Sequence, residues 1–560
     1  MSDRMSPDKI LTRWGALKTE RASWMTHWQE ISTYLMPYQG RYFVSDRNRG
    51  GRRMNSIYDS TATRANRILA SGLMSGATSP ARPWFRLATS DDDLNTYQPV
   101  RIWLDDVAKL LLRIFAKSNT YRALHQMYEE LGAFATGATI LLPDYENVIH
   151  HYPLTIGEYA IAADYKGNVC TIYREFEKQV SAVVKSFGYD NCSTAVKNLF
   201  DKGSLDSWIP LIHAIEPRAD RDFSKRDNKN MPWASYYLEA GGNEGKFLRE
   251  SGFPQFPALV PRWAVAGGDI YGNGPGMEAL GDIKQLQHEQ LRKAQGIDYQ
   301  TNPPLQVPSH LKNSPIDRLP GGITYYDAAS PTGGVRSMFE TQLNLQHLGA
   351  DIVDVRQRIN SVFYTDLFLM LANSVDSRKT ATEVALLQEE KLLMLGPTLE
   401  RLHEDLFKPM VEMAFTQAKN ANILPPPPDE LRGMEIGIEL ISVLAQAQRA
   451  IGVNSVDRWL GGIGAVAQYK PEVLDRLDVD YWVEDSADML GVSAKYIVPR
   501  EQAEAVRQAR AQAAQQMQQS ALAEQQSNTA RNLAQSPTDG DTALSGIMSA
   551  FTGYDAPTGA

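Results

Sequence analysis

The sequence predicts an α+β protein that is predominantly helical and has more than one structural region. A chain of 560 residues is too long for one ordinary hydrophobic core, so we expect about two to four regions. Apolar residues recur at helical spacing along much of the chain, whereas residues 139–176 alternate apolar and polar side chains as strands do. The 43% hydrophobic content is enough to fill several cores.

The charge balance and the cysteine count argue against two classes of protein: those that bind nucleic acid over a broad basic face, and those held together by disulfides. The chain has 57 Lys and Arg against 66 Asp and Glu, a formal net charge of -9, which argues against a broad basic face for nucleic acid. Any DNA contact must therefore be local or loose. Cys170 and Cys192 are its only cysteines, so no disulfide framework is expected and a reducing compartment suits the chain.

The N-terminus lacks a secretory pattern, and the longest uncharged apolar run, 131–142, is shorter than the roughly 20 residues that span a bilayer. We expect a protein that begins in the cytoplasm and contacts no membrane.

Residues 1–275 are predicted to be a mixed α+β region. Ser6-Pro7-Asp8 is typical of a helix start, and apolar residues then follow at helical spacing until the chain reaches Pro37. Residues 40–55 are dense in Arg and Gly and predict a solvated loop. Further helices are predicted at Thr61–Met74 and Val100–Phe134, before the strands of residues 139–176.

The middle of the chain predicts a long helical hairpin. A loosely amphipathic helix is expected from Gly276 to about Ile297, and a cleaner one carries apolar residues every three or four positions from Leu345 to Val362. Residues 298–337 between them hold six prolines and four glycines, which indicates a compact insert of loops and short strands. The two helices are thus expected to form a stalk with the insert at its tip.

The remainder is predicted to be helical with several breaks. Residues 364–379 form the first break, and a long helix then begins at Thr380, where Pro397 and Pro409 should kink or divide it. Pro425–Pro428 predict a stiff extended spacer, followed by short helices to about residue 498. The Ala- and Gln-rich stretch at 501–526 permits a helix, and the tail beyond it is expected to be disordered.

No catalytic or metal site is expected, and no cofactor. The most suggestive motif is the glycine turn at 272–276, since glycine loops at helix starts bind phosphates, but Met277 stands where the dinucleotide fingerprint needs its third glycine. The acidic run at 478–485 fails the calcium-loop pattern, because Trp482 and Val483 stand where an oxygen ligand and the glycine are needed. This run and the one at 91–93 predict solvated loops or helix caps. His150 and His151 would point to opposite faces of a strand, so they cannot bind one metal together.

Three segments in this order resemble the portal, or head-to-tail connector, family of short-tailed phages. They are YGNGPGMEALGDIKQLQ at 271–287 with the Pro-rich insert after it, TATEVALLQEEKLLMLGPTLERLHEDLFKPM at 380–410, and SVLAQAQRAIGVNSVDRWLGGIGAVAQYKPEVLDRLDVD from Ser442. The resemblance implies a portal fold with wing, stem, clip and crown regions. It also implies a dodecameric ring closed by heterologous contacts between neighbouring subunits.

Carried onto this chain, the family plan assigns a role to each region. The assignments are wing at 1–275, stem at 276–297 and 338–363, clip at 298–337, tunnel loop at 364–379, a long kinked helix at the wing and crown junction at 380–429, crown at 430–500, and an Ala/Gln-rich tail at 501–560. The implied function is a non-enzymatic ring at the capsid vertex for packaging and ejecting viral DNA. Its implied partners are double-stranded DNA, the large terminase subunit, capsid and scaffolding proteins, and tail adaptor proteins. The protein is then expected in the virion, and in the host cytoplasm during assembly.

Seven basic residues are the candidates for contact with passing DNA. They lie on the predicted stem helices and at the end of the predicted tunnel loop: Lys284, Arg292, Lys293, Arg356, Arg358, Arg378 and Lys379. Acidic neighbours leave the stem helices nearly neutral, and a helix start with a basic flank explains the last two equally well. Two alternatives stay open at this point: a nucleotide-dependent enzyme that uses the glycine turn, and another virion ring such as a tail adaptor.

Overall fold

The structure is a computed structural model. It describes residues 5–46, 56–91, 94–95, 97–225, 227–241, 245–301, 305–306, 336–337, 345–372, 394–431, 434, 436–441, parts of 460–483, 498 and 500–534. The chain divides into two compact units, residues 1–474 with 489–491, and residues 475–488 with 492–560.

Helices and antiparallel strands occur largely in separate runs in the first unit, as expected for an α+β protein. Its helices are α1 (Pro7–Glu20), α2 (Ala22–Tyr34), α3 (Thr61–Ala77), α4 (Gln98–Lys117), α5 (Thr120–Phe134), α6 (Val180–Phe187), α7 (Thr194–Asp201), α8 (Pro275–Glu278), α9 (Leu280–Thr301), α10 (Leu345–Val362), α11 (Thr365–Ala372), α12 (394–402) and α13 (Lys408–Asn420). Its strands are β1 (Phe85–Thr89), β2 (Ala138–Asp144), β3 (Val148–Leu154), β4 (Tyr159–Ala163), β5 (Val169–Gln179), β6 (Trp208–Pro217), β7 (Trp233–Glu239), β8 (Arg249–Phe253), β9 (Ala258–Leu259), β10 (Leu305–Gln306), β11 (Arg336–Ser337) and β12 (Ile436–Leu440).

The N-terminal helix begins as predicted but is divided. The Ser6 side chain accepts a hydrogen bond from the Lys9 backbone N–H, which caps α1. The single helix expected up to Pro37 is wrong, because the chain breaks at Arg21 between α1 and α2. Arg21 is buried and its guanidinium donates to the Tyr159 carbonyl. That interaction joins residues 138 positions apart, so helical periodicity gives no sign of it.

Five antiparallel strands form the largest sheet, in the order β4-β5-β6-β7-β8. One face packs against α1 through Ile10, Trp14 and Leu17. The other face packs partly against α6 and α7, in a cluster that includes Leu211 of β6. The adjacent Ile212 belongs to the α1 side, as expected because neighbouring residues of a strand point to opposite faces.

The main core joins α2 to α5 with the smaller sheet β3-β2-β9 and with later parts of the chain. Trp84, Phe115 and Phe407 pack together at its centre, with ring centroids of Trp84 and Phe407 5.8 Å apart. The predicted helices at 61–74 and 100–134 and the strands at 139–176 are confirmed, with one helix break between Lys117 and Thr120.

A strand replaces one of the short helices expected after the Pro425–Pro428 spacer. Residues of β12 pair antiparallel with β1, in the register Phe85 with Leu440. The Arg86 side chain reinforces the pairing, since its Nη2 lies 2.7 Å from Glu439 Oε2. The prediction of helices alone in this region is therefore wrong at 436–440.

The first break after the hairpin also differs from expectation. Tyr364 has a positive φ of 54° and turns the chain, but Thr365–Ala372 then form α11, so residues 364–379 are not one continuous break. Leu367 and Phe368 are buried, and that burial explains the helix. The interruption expected at Pro409 is present, because a π-helical turn at His403–Phe407 separates α12 from α13 and Pro409 lies in the first turn of α13. The wider turn makes room for a ring that would clash with the preceding turn of an α-helix.

The second unit contains one long helix, α14 (Arg500–Ala534). It extends past the predicted end at residue 526, and nearly all of its described side chains are exposed. An Ala- and Gln-rich composition explains a helix with no apolar stripe. The sequence predicts a disordered tail from residue 527, which is wrong for residues 527–534 because they are helical. The tail from residue 535, most of the Pro-rich insert, Arg378, Lys379 and the predicted start of the long helix at residues 380–393 lie outside the described residues.

Candidate functional site: the long hairpin and its base

The candidate site is the long hairpin, by which we mean α9, α10 and the strand pair β10–β11. Ile283 and Leu286 of α9 are buried, as are Ile352 and Val355 of α10. The helices run antiparallel, because Arg358 near the end of α10 reaches Asp282 near the start of α9. β10 and β11 pair with each other after the end of α9 and before the start of α10. The hairpin therefore continues past the two predicted helices at the end that carries the insert.

The glycine turn at 272–276 fixes where the hairpin starts. The Gly272 N–H donates to Thr136 Oγ1 at 2.9 Å. A Cβ at Gly272 would lie 2.3 Å from the Ala135 carbonyl oxygen, and one at Gly276 would lie 2.1 Å from that of Ala133. The glycines are therefore needed for close packing on the end of α5. Protein backbone fills the space that a phosphate would need, so the geometry gives no support to the nucleotide-binding alternative.

Asp59 holds both helices of the hairpin at their base. It lies just before α3, and its Oδ2 accepts from Gln290 Nε2 at 2.8 Å and from Arg356 Nη2 at 2.7 Å. Its Oδ1 accepts from the Thr61 N–H and hydroxyl. Gln287 of α9 adds two backbone contacts, accepting from the Asp59 N–H and donating to the Asp59 carbonyl. We call this set the Asp59 clamp.

The clamp favours an ionised carboxylate. Burial acts to raise the pKa of Asp59, but hydrogen bonds from Thr61 and Arg356 outweigh it and hold the pKa below its usual value. A carboxylate that accepts several charge-assisted or backbone hydrogen bonds is stabilised in its charged form. The clamp should therefore persist at neutral pH.

Replacing Asp59 with alanine is expected to loosen the hairpin at its base. The change removes one acceptor group shared by α3, α9 and α10 and leaves Arg356 without its partner, so a loss of about 2–4 kcal/mol of stability is expected. Hydrogen–deuterium exchange should show faster exchange in α9 and α10. Asp282→Ala is the matched control, because Asp282 and Arg358 form a more exposed pair that should contribute less than about 1 kcal/mol. Equal exchange in the two variants would contradict the clamp.

A second carboxylate lies between the two helices without a full set of partners. Glu289 of α9 is 8% exposed, and its Oε1 accepts from Gln285 Nε2 at 2.6 Å. Its Oε2 is buried with no hydrogen-bond partner among the described residues. Burial, and then the carboxylate of Asp351 on α10, raise the pKa of Glu289 above its usual value, although Gln285 and Arg358 oppose that shift. The hairpin thus carries a carboxyl that favours the protonated form.

Glu289→Gln is expected to stabilise the hairpin at neutral pH. A carboxyl with a raised folded-state pKa stabilises the fold below its unfolded pKa, and that contribution is lost as the pH rises through the folded pKa. Glutamine mimics the protonated form, so a gain of about 1 kcal/mol is expected at neutral pH. The gain should shrink as the pH falls towards the ordinary value of 4.5.

Thermal unfolding over a pH series measures this effect. Glu278→Gln is the control, because Glu278 is exposed in α8 and its substitution should give no such pH-dependent gain. A gain for Glu289→Gln that is the same at every pH would show that the carboxyl does not titrate as proposed.

The five described basic candidates are mostly engaged within the subunit. Lys284 pairs with Glu30, and Arg356 belongs to the Asp59 clamp. Arg358 pairs with Asp282 at 3.0 Å and with Asp354 at 3.4 Å. Arg292 donates to Gln295 Oε1 at 3.0 Å and is exposed, and Lys293 is half-buried. Contact with DNA stays a prediction for all seven candidates.

Sequence reasoning missed the acidic residues that organise the hairpin. Asp59 precedes Thr61, the predicted start of α3, and Asp at such a position is typical of a helix cap. That signal locates the end of a helix but not a partner 297 positions away. Glu289 carries no sequence signal, because its burial depends on α10.

The described residues contain no group of three or more His, Cys, Asp or Glu side chains placed to hold a metal ion. His151, one of the two histidines of the weak metal motif, is fully buried in β3, and burial lowers its pKa to about 3. No helix in the described part of the chain is both long and apolar enough to cross a membrane.

Comparison with known proteins gives strong matches across nearly the whole chain. Residues 7–498 match the family model described as "Bacteriophage head to tail connecting protein". The chain is 57% identical to the "Probable portal protein" of Bordetella phage BPP-1, over 99% of this chain and 100% of that protein. It is 45% identical to the "Portal protein" of Salmonella phage epsilon15, over 97% of this chain and 98% of that protein.

The similarity to solved structures is much weaker. "Neck of empty GTA particle computed with C6 symmetry" has a TM-score of 0.36 and 12% sequence identity, and the match covers 76% of this chain and 92% of that one. A TM-score this low carries no structural argument.

Proposed function

This chain belongs to the bacteriophage head-to-tail connecting protein family, and we propose on that premise that it is the portal ring at the capsid vertex, through which viral DNA is packaged and ejected. The observation that carries the proposal is the near full-length identity of 57% and 45% to two proteins named as portals. The role is structural, so ATP hydrolysis should belong to a separate motor.

The regional plan of the family supplies the rest of the proposal. The stem is assigned to residues 276–297 and 338–363, which include most of α9 and α10, and the clip to residues 298–337, which include β10 and β11. The wing is the α+β region before residue 276. Residues 364–379 are assigned to the tunnel loop, residues 380–429 to the wing and crown junction, and residues 430–500 to the crown. Support for a stem comes from the Asp59 clamp, because a stalk fixed at its base on a folded region can project as a rigid element.

The stem is proposed to line a channel through which DNA slides. Among the described candidates, Arg292 and Lys293 are best suited to touch it, because Lys284, Arg356 and Arg358 already pair with acids of their own subunit. Arg378 and Lys379 complete the proposed contacts. Few unpaired basic groups suit a conduit, since each strong phosphate contact adds salt-dependent affinity that would slow movement.

The proposed partners follow from a position at the vertex. Twelve copies form the ring, the large terminase subunit docks at the clip during packaging, and tail adaptor proteins bind there later. Capsid and scaffolding proteins contact the ring during assembly. Assembly takes place in the host cytoplasm, and the finished ring stays in the virion.

Electron microscopy of the purified full-length chain tests the proposal. We expect closed rings with a central hole, and class averages will give the number of subunits. A protein that stays monomeric at all concentrations, in particles without a hole, would refute the ring. A nucleotide titration separates the enzyme alternative, because saturable binding by the chain would count against a purely structural role.

A further inference from the structure

Four residues in direct register cross one face of the five-stranded sheet. Arg174 of β5 pairs with His213 of β6, His213 with Tyr237 of β7, and Tyr237 with Arg249 of β8. Residues paired in register share a face, and Lys178 is on the same face of β5 four positions further along. We call these five residues the cationic row.

The row is held together by stacked rings. The His213 and Tyr237 rings lie parallel, with centroids 3.9 Å apart and 9° between their planes. The Arg249 guanidinium lies 4.8 Å from the Tyr237 ring centroid and 5.5 Å from that of Phe187. Lys178 Nζ lies 6.0 Å from the same Phe187 ring. These aromatic contacts hold two cations near each other, although like charges repel.

The cations of the row have no acidic partner in the part of the chain that the structure describes. None of Arg174, Lys178 and Arg249 forms a hydrogen bond or ion pair with a carboxylate there. By contrast, Arg218 pairs with Glu250 at 3.2 Å. Burial, and then the charges of Arg174 and Arg249, lower the pKa of Lys178, which reflects this uncompensated positive charge.

Two buried nitrogen atoms in the row also lack partners. Arg174 Nε and His213 Nδ1 have no hydrogen-bond partner among the described residues. His213 is 1% exposed, and its other nitrogen is 3.0 Å from Ser235 Oγ. Leaving a buried donor unpaired is unfavourable, so an acceptor that reaches the Arg174 Nε–H would recover part of that cost.

Apolar clusters flank the row on both sides. Ile172 and Ile215 pair with each other two residues away from Arg174 and His213, on the same face, and they belong to the main core. Leu211 is two residues from His213 in the other direction and belongs to the cluster that packs against α6. The row thus lies between two apolar clusters on one face of the sheet. Arg174 and Lys178 are half-buried and only Arg249 is exposed.

We propose that the cationic row is a docking site for an acidic protein segment that presents two or more carboxylates. Guanidinium groups that lie over aromatic rings can still donate paired hydrogen bonds to carboxylates. Duplex DNA suits the site less well, because its affinity depends on many phosphate contacts along a broad basic surface and this chain has a net charge of -9. This docking surface is additional to the proposed channel.

Fluorescence anisotropy with a labelled hexaglutamate peptide tests the proposal on the full-length chain at low ionic strength. The variant carries Arg174→Gln, Lys178→Gln and Arg249→Gln, and we expect at least about tenfold weaker binding because several charge-assisted hydrogen bonds are lost. The matched control carries Lys166→Gln, Lys197→Gln and Arg221→Gln. It removes three other cations that lie over aromatic rings, and its affinity should be unchanged.

Equal weakening in both variants, or no peptide binding by the native chain, would overturn the proposal. A DNA duplex that binds the native chain more tightly than the peptide, and loses affinity only in the row variant, would overturn it in favour of nucleic acid. Ring formation is scored separately by microscopy, so failure here is distinguishable from failure of the proposed function.

Crosslinking of the native protein covers the case in which the row variant does not fold. A carbodiimide joins a carboxylate directly to a lysine amine, and the products can be mapped by mass spectrometry. We expect the hexaglutamate crosslink at Lys178. Crosslinks found only at other lysines would refute the site.

Discussion

Substitution of Gly276 by alanine is expected to prevent the protein from folding into assembly-competent subunits. The added Cβ would lie 2.1 Å from the Ala133 carbonyl oxygen and 2.8 Å from the Ala133 Cα, both of which are backbone atoms. Neither side can yield easily, because Ala133 belongs to α5 and Ala135 just after it has a positive φ of 57°. Overpacking typically costs 1–3 kcal/mol, and a backbone clash this close should cost about 3 kcal/mol or more.

Gly281→Ala is the matched control for Gly276→Ala. Gly281 lies five positions later in α9, and a Cβ there would meet nothing within 4 Å. Alanine favours a helix over glycine, so this variant should be as stable as the native chain or up to about 1 kcal/mol more stable. Soluble yield, thermal unfolding and ring formation by microscopy compare the two. Native-like rings and an unchanged unfolding temperature for Gly276→Ala would show that the turn tolerates a side chain.

The glycine turn shows what a local pattern can predict. Its composition and position predict a turn before the next helix, and in the structure α8 begins within that turn at Pro275 and α9 follows. The reason for the glycines was not readable from the sequence. Gly272 and Gly276 approach the backbone of Ala135 and Ala133, about 140 residues earlier in the chain, and periodicity carries no information about that approach.

The elements that were missed depend on contacts between distant residues. β12 is strand because it pairs with β1, and its residues lie about 350 positions from their partners. The break at Arg21 and the helix α11 inside an expected break have the same origin. In each case burial against a distant segment overrides a local preference, as it commonly does for short elements.

The candidate site also has features that the sequence predicts and features that depend on distant residues. The helices of the long hairpin were predicted because their apolar spacing is local, and the basic residues on them were visible as candidates. The charges that neutralise Arg356 and Lys284 come from Asp59 and Glu30, which are far away in the sequence. Counting the charged residues of the two helices predicts that their net charge is near zero. It does not predict which acidic residues pair with Arg356 and Lys284.

Arg262→Ala is expected to cause the second large loss of stability. Arg262 is 2% exposed, and its Nε and Nη2 donate to the two carboxylate oxygens of Asp405 at 3.2 and 3.4 Å. Its Nη2 also donates to the Gly167 carbonyl at 3.0 Å, and its Nη1 to the Ile270 carbonyl at 3.4 Å. One side chain therefore joins the β4–β5 turn, the segment before the glycine turn and the π-helical turn.

Removing this guanidinium leaves a largely buried carboxylate and two carbonyls without their donor. Breaking a buried ion pair by deleting one partner costs about 3–5 kcal/mol, and Asp405 has a side chain that is only 14% exposed. Arg262→Lys should recover only part of the loss, since an ammonium group cannot reproduce the planar fork. Denaturant unfolding, or thermal unfolding where refolding is incomplete, measures the difference.

A more exposed ion pair provides the control for the Arg262 variant. Arg86 and Glu439 lie 2.7 Å apart with side chains 34% and 39% exposed, so Arg86→Ala should cost no more than about 1 kcal/mol. A double-mutant cycle with Asp405→Ala isolates the pair, and we expect the double variant to lose less than the sum of the two single variants. If Arg262→Ala costs no more than Arg86→Ala, or if the two single losses simply add, the buried pair does not stabilise this junction.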